Sequence, residues 1–205
     1  SGQDIKNNIE KEMTPIDKLI VHFRKSITLT DDEAEIVGGC FTIVELKKKE
    51  ILLYEGDLSS HMRFISDGCL RSYYMDEDTK EHIIQFGIED WWINDLYSYL
   101  TNTPSKQFVQ AIENSVVLQI HKDKLNDLYN NVPAVERFFR FKFEKAYVSL
   151  QERTINAMSK TAEEHYLDFR TKHRDIEQRV PQYMIASYLG ITPEFLSKLR
   201  KNISQ

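Results

Sequence analysis

Between Phe41 and His121 the chain breaks into seven short apolar segments: FTIVEL, EILLYE, MRFISDG, CLRSYYM, HIIQFG, FVQAIE and VVLQIH. Turn-forming pieces such as Glu55-Gly56-Asp57 and Ser66-Asp67-Gly68 part them. Many short strands at regular spacing predict an antiparallel barrel or roll. On both sides of this region the apolar period is helical. Before it, Ile16, Leu19, Ile20 and Phe23 keep helical spacing over 16–26, and Thr30 followed by Asp31-Asp32-Glu33 caps a second short helix. That helix is expected to run to about Val37 and to end at Gly38-Gly39.

After the strands, Asp123, Leu125 and Leu128 fit a short helix, and Val132-Pro133 opens a long one reaching about Ser159. Phe139, Phe143, Ala146, Leu150 and Ala157 keep near-heptad spacing along it, with added bulk from Phe138, Tyr147 and Met158. Such a stripe serves either as a seam between two copies or as a surface buried within one subunit. Tyr166, Leu167 and Phe169 begin a C-terminal unit, and Val180-Pro181 breaks the chain before its last hairpin.

That hairpin, QYMIASYLGITPEFLSKLRK, holds two helical patterns hinged at Leu189-Gly190-Ile191. Ile185, Ala186 and Leu189 give the first an apolar face, and Gly190 permits a tight turn. Thr192 caps the second, Pro193 suits its first position, and Glu194 suits the positive end of its dipole. Phe195, Leu196 and Leu199 are expected to pack inward, with Glu194, Ser197, Lys198 and Lys201 outward. The pattern is a helix-turn-helix, whose second helix enters a DNA major groove; the plain alternative is an ordinary αα-hairpin. From Ser159 to Gln205 there are eight Lys/Arg against six Asp/Glu, on a chain whose net charge is −5, a locally basic end that suits phosphate contact. Helix-turn-helix proteins usually bind paired half-sites, which favours a dimer seam for the long helix.

The 205 residues are 41% hydrophobic and 29% charged, enough for a sizeable core and two domains. No run of about eighteen apolar residues and no signal-peptide stretch occurs, so neither a membrane span nor export is indicated and a cytoplasmic location is expected. Ser1-Gly2 is set aside as an expression remnant. The two cysteines, Cys40 and Cys69, fall short of the four ligands of an iron-sulfur cluster and read as small buried strand residues. The six histidines show no HxH or HExxH spacing, so no metal and no cofactor is indicated. A metal-dependent enzyme on a cupin-like roll lacks a clustered His/Glu ligand set, and a haem on His82 or Cys69 has no spacing that demands it. The reading is therefore not enzymatic.

The order helix, roll, long helix, helix-turn-helix resembles the Crp/Fnr family of bacterial transcription regulators, from about Ile16 to Asn202. KEILLYEGDLSSHMRFISDG (Lys49–Gly68) and IASYLGITPEFLSKLRK carry the resemblance most specifically, and WWINDLYSYLTNTPS looks like a form common in Bacteroidetes. The fold implied is α+β. It comprises an N-terminal antiparallel β-roll, cyclic-nucleotide-binding-like and of double-stranded β-helix type, then a long dimerisation helix and a C-terminal helix-turn-helix domain. The corresponding divisions are 1–132, 133–159 and 160–205. The resemblance implies a homodimer that binds DNA, answers a small-molecule effector of unknown identity, and works with RNA polymerase.

In cyclic-nucleotide-binding members of that family a Gly-Glu-Leu motif supplies a carboxylate for the ribose, and an Arg ten residues later pairs with the phosphate. Here the motif aligns with Asn94-Asp95-Leu96, and the Arg position falls on Ser105, followed by Lys106. Ser offers one neutral donor where a bidentate cation is needed, and Asp95 reaches less far than Glu, so cyclic AMP is not the expected effector. Lys106 substitutes only if its side chain turns inward. Trp92, with Trp91, Tyr97 and Tyr99, either lines a pocket for another ligand or fills the roll. In the head, the family's base-reading positions fall on Pro193, Glu194 and Lys198. Proline cannot make an Arg-guanine contact; Glu194 can accept from cytosine and Lys198 can donate to guanine. Ser197 is a candidate base or phosphate contact, and Lys201 and Thr192 are candidate phosphate contacts. The sequence ends at Gln205, so the β-wing that often follows in this family is expected to be missing or very short. An alternative from another class is a ligand-binding signalling module whose helix-turn-helix no longer reads DNA.

Overall fold

The computed structural model describes residues 13–203; Ser1-Gly2 and the rest of 1–12 lie outside the described residues, as do 204–205. Helix α1 (Pro15–Arg24) starts from a capping box in which Thr14 Oγ1 accepts the Asp17 amide and the Asp17 carboxylate accepts the Thr14 amide. Thr30 and Glu33 form a second box that starts α2 (Asp31–Cys40). This helix does not stop at Gly38-Gly39 as expected. A Cβ on Gly38 would lie 2.9 Å from Ile16 Cγ2, so the glycine serves the close approach of α1 and α2 and ends nothing.

The seven apolar segments become β1 (Thr42–Leu46), β2 (Ile51–Leu53), β3 (His61–Asp67), β4 (Leu70–Met75), β5 (Glu81–Gly87), β6 (Phe108–Ala111) and β7 (Ser115–His121). They pair antiparallel into two sheets, ordered β1-β7-β3 and β2-β6-β4-β5. Leu46, Ile65 and Val117 from the first sheet meet Leu53, Leu70 and Val109 from the second and fill the space between them. Gly68 makes the β3–β4 turn at φ +102°, a conformation that favours glycine. Cys69 is buried in that turn and Cys40 closes α2, so neither cysteine lies in a strand.

Each sheet buries part of its outer face too. Met62, Phe64, Leu118 and Ile120 pack under α1, α2, α4 (Lys122–Asn131) and the start of α5 (Pro133–Ser159). Tyr73, Ile83 and Phe86 pack against the C-terminal helices α6 (Ala162–Lys172), α7 (Arg174–Arg179), α8 (Gln182–Leu189) and α9 (Pro193–Ile203). A short helix, α3 (Leu96–Thr101), precedes β6. Tyr166 and Phe169 of the C-terminal unit are buried, and Leu167 lies on the solvent side of α6 at 40% exposure.

Helix α5 changes character along its length. Val135, Phe138 and Phe139 are buried and Phe143 is half-buried, whereas Ala146, Leu150 and Ala157 are exposed. Tyr147, Leu150 and Met158 are 62%, 62% and 79% exposed. The second half thus carries an uncovered apolar stripe within this single chain. No helix among the described residues is long and apolar enough to cross a membrane.

Candidate effector site and nucleic-acid interface

Trp91, Trp92 and Ile93 send their side chains to three different layers. Trp91 packs toward the C-terminal helices, with its ring 5.7 Å from that of His173, and Ile93 fills the space between the sheets. Trp92 joins the N-terminal helical layer, its ring 5.0 Å from Phe139 and 5.4 Å from Phe64, and its Nε1 donates to His22 Nε2 at 3.2 Å. The structure therefore places Trp92 in the layer that also takes Leu96, apart from the Asp95 and Ser105 side chains. Burial, with Lys142 adding to it, lowers the His22 pKa to about 4, which keeps the ring neutral and its Nε2 an acceptor.

Asn94, Asp95 and Ser105 do come together. Asn94 Oδ1 accepts the Arg63 amide at 3.1 Å. Asp95, 2% exposed, caps α3: one carboxylate oxygen accepts the Ser98 amide at 3.1 Å, the other the Ser105 hydroxyl at 2.7 Å. Ser105 is held in turn by its backbone, donating to Asp57 O and accepting from the Gly56 amide, both at 2.8 Å. The Ser98 hydroxyl accepts the Ser59 amide and donates to Thr103 O, fastening the same corner. The two residues at the ribose and phosphate positions of the resemblance thus satisfy each other. Leu96 packs half-buried against the N-terminal helical layer, and Lys106 is exposed, its side chain not turned inward.

A charge that the sequence reading passed over lies inside the roll. Arg63 is 4% exposed, with Nε and Nη1 buried and without a hydrogen-bond partner. His82 is engaged by the Asp76 carboxylate at 2.6 Å, and burial pushes the Cys69 thiol up to about 12. Among the described residues no group of three or more His, Cys, Asp or Glu is placed to hold a metal ion.

At the other end of the chain, Gly190 adopts φ +70°, and the Ile191 amide reaches back to Ala186 O at 3.0 Å, a Schellman closure of α8. Thr192 Oγ1 accepts the Phe195 amide at 3.2 Å and so starts α9. Leu196 and Leu199 are buried with Met184, Ile185 and Ala186. Thr192, Glu194, Ser197, Lys198 and Lys201 are all exposed. Phe195, expected inward, is 44% exposed, because it sits about 100° around the helix from Leu196 and at the edge of the apolar stripe.

This head is fastened to the roll. Ser187 Oγ accepts the Ile83 amide at 3.1 Å and donates to Glu81 O at 2.9 Å, both on β5. Arg179 binds Glu89 through two bonds of 2.7 and 2.9 Å and also binds Glu113; these carboxylates raise its pKa. Arg153 of α5 donates to Ile84 O.

Residues 43–132 match the cyclic nucleotide-binding domain family. The chain is similar to an anaerobic regulatory protein of Haemophilus influenzae, 27% identical over 165 residues that cover 75% of this chain and 63% of that protein. It is also similar to the fumarate and nitrate reduction regulatory protein of Yersinia pestis, 26% identical over 165 residues, 75% of this chain and 65% of the other. The chain thus spans less than two thirds of the length of these two relatives. Its fold is similar to FixK2 from Bradyrhizobium japonicum, with TM-score 0.69 and 17% identity over 80% of this chain and 84% of that one. A CooA mutant from Carboxydothermus hydrogenoformans superposes with TM-score 0.65 and 18% identity, over 81% of this chain and 77% of the other. The relatives and the fold agree with the resemblance to the Crp/Fnr family carried by the Lys49–Gly68 segment and the C-terminal hairpin, and residues 43–132 supply its cyclic nucleotide-binding domain.

Proposed function

We propose that this chain is a dimeric, sequence-specific DNA-binding transcription regulator controlled by an effector in its roll. The observation that carries the reading is the face of α9. Glu194, Ser197, Lys198 and Lys201 stand exposed on a helix whose other side is anchored by Leu196 and Leu199, after a closed Gly190 turn. A rigid helix presenting a carboxylate and two ammonium groups suits base edges and phosphates together. Glu194 and Lys198 read bases in this account, Ser197 adds a base or phosphate contact, and Lys201 and Thr192 contact phosphates.

The exposed stripe of Tyr147, Leu150 and Met158 supports α5 as the seam with a second copy, which would set two heads on paired half-sites. The mutual engagement of Asp95 and Ser105 supports an effector other than cyclic AMP. RNA polymerase as a further partner, and the cytoplasm as the place of action, are what the resemblance to the Crp/Fnr family implies.

The test is selection of bound sequences from a random DNA pool, followed by affinity measurement on the enriched site. An inverted repeat with half-site centres about 34 Å apart is expected, and Glu194→Ala or Lys198→Ala should each cost about 1 to 3 kcal/mol and relax sequence preference. Unchanged affinity and preference in both variants would transfer the function to a signalling module whose head does not read DNA.

A further inference from the structure

Phe195 stands in the first turn of α9, the turn whose side chains meet base edges when such a helix lies in a major groove. The backbone fixes its place there. Thr192 Oγ1 accepts the Phe195 amide at 3.2 Å, and Thr192 O accepts the Leu196 amide at 3.0 Å, so the turn is closed around the residue. At 100° per residue, Phe195 lies about 40° from Leu199 on one side and about 60° from Lys198 on the other. Leu199 is buried and Lys198 exposed, which leaves the ring on the rim of the outward face. Among the described residues of α9 it is the large apolar side chain that the fold leaves open: Leu196 is buried like Leu199, and Ile203 is half-buried.

Single exposed apolar residues are common and carry no meaning by themselves. The neighbours of this one give it a direction. Lys198 follows Phe195 by three residues and Glu194 by four, so ring, ammonium and carboxylate form one small patch, with Cβ atoms roughly 5–6 Å from that of Lys198. An apolar protein surface that covered the ring would strip water from both charges beside it. A DNA major groove instead offers each group a counterpart: a cytosine amino group for Glu194, guanine acceptors for Lys198, and the C5-methyl of thymine for an apolar side chain such as phenylalanine. A phosphate has nothing to offer an aromatic ring, so Phe195 belongs over the bases.

We infer that Phe195 is a specificity-determining residue whose ring packs on the C5-methyl of a thymine within two base pairs of the pair read by Glu194 and Lys198. The spacing follows from the patch, since roughly 5–6 Å covers at most two base steps of about 3.4 Å each. This deepens the DNA-binding reading above and rests on it.

The site enriched from the random pool is remade with deoxyuridine replacing thymine, one symmetric pair of positions at a time, and binding is measured by fluorescence anisotropy at fixed salt. Uracil keeps the pairing and the O4 acceptor and lacks only the methyl. At one such position the wild type should bind about fourfold more weakly per half-site, the effect of one buried methyl group, and about fifteenfold with both half-sites changed. Phe195→Ala should bind the thymine and uracil sites alike. Selection with that variant should keep the preferences set by Glu194 and Lys198 and lose the thymine, with the salt dependence of binding unchanged because no phosphate contact is removed. The uracil series on the wild type stands without the variant, should Phe195→Ala fail to fold. No uracil position that weakens wild-type binding, or the same uracil penalty in wild type and Phe195→Ala, overturns this inference and leaves the DNA-binding reading standing. Failure of the wild type to select any sequence overturns both.

Discussion

The neutral His22 ring gives the N-terminal layer a defined acid weakness. Its Nε2 accepts from Trp92, and its Nδ1 has no hydrogen-bond partner; the Asp90 carboxylate is 3.9 Å away, beyond bonding distance. Burial first, then Lys142 and Lys25, hold the folded pKa near 4 against an ordinary 6.5, with Asp90 acting in the opposite direction. The unfolded chain therefore takes up a proton as pH falls below 6.5, and the folded chain does so only near 4, so stability present above 6.5 is lost across that interval. Between about pH 7.5 and about pH 4.5 the displacement is worth about 2 kcal/mol, allowing for Asp90 turning toward a protonated ring. His22→Gln keeps an acceptor for Trp92 and cannot titrate. In urea unfolding followed by tryptophan fluorescence, wild type should lose about 2 kcal/mol more than the variant over that pH range. Parallel losses would refute the assignment of a buried neutral histidine, because every other titrating group is common to both proteins.

Three further outcomes follow from the packing. Gly68→Ala places a Cβ 2.2 Å from Ser115 Oγ and 2.7 Å from Ser115 Cα at φ +102°, so it should cost about 2 kcal/mol or more in urea unfolding; a neutral result would mean that the β3–β4 turn is not as tight as described. Ser187→Ala removes both bonds to β5 and should speed exchange of the Ile83 amide by about tenfold, read by hydrogen exchange, whereas unchanged exchange would show that Ser187 does not protect that amide. Leu150→Glu places a charge in the middle of the exposed α5 stripe and should shift sedimentation toward the monomer mass, while an unchanged dimer would place the seam elsewhere.

The strands were legible because each apolar segment is short and bounded by turn residues, and α5 because Pro133 fixes its first position and nothing interrupts it before Ser159. What escaped the sequence depends on tertiary neighbours. Gly38 reads as a stop signal until Ile16 is seen against it. Phe195 lies at a stripe edge, where helical spacing alone does not decide the face. Arg63 was hidden for a stronger reason: β3 is buried on both faces, from Met62 to Ser66, so it shows no alternation that would mark one side as interior. Likewise the opposite destinations of Trp91 and Trp92 emerge only once a helical layer lies on each side of the roll. Of the expected effector residues, the Asp95–Ser105 spacing identified two groups in contact, while their mutual bond is visible only in three dimensions.

Ser187 has a consequence for solubility. β5 is the outermost strand of its sheet, and an open strand edge is a template on which other chains can add. The Ser187 hydroxyl occupies a donor and an acceptor of that edge at once, much as the main chain of a neighbouring strand would, and α8 lies across it. A head that swings off the roll would therefore uncover a sticky border. Any conformational cycle that undocks the head must give β5 a new cover or keep the undocked form scarce, so self-association on undocking is the hazard that the docked arrangement holds in check.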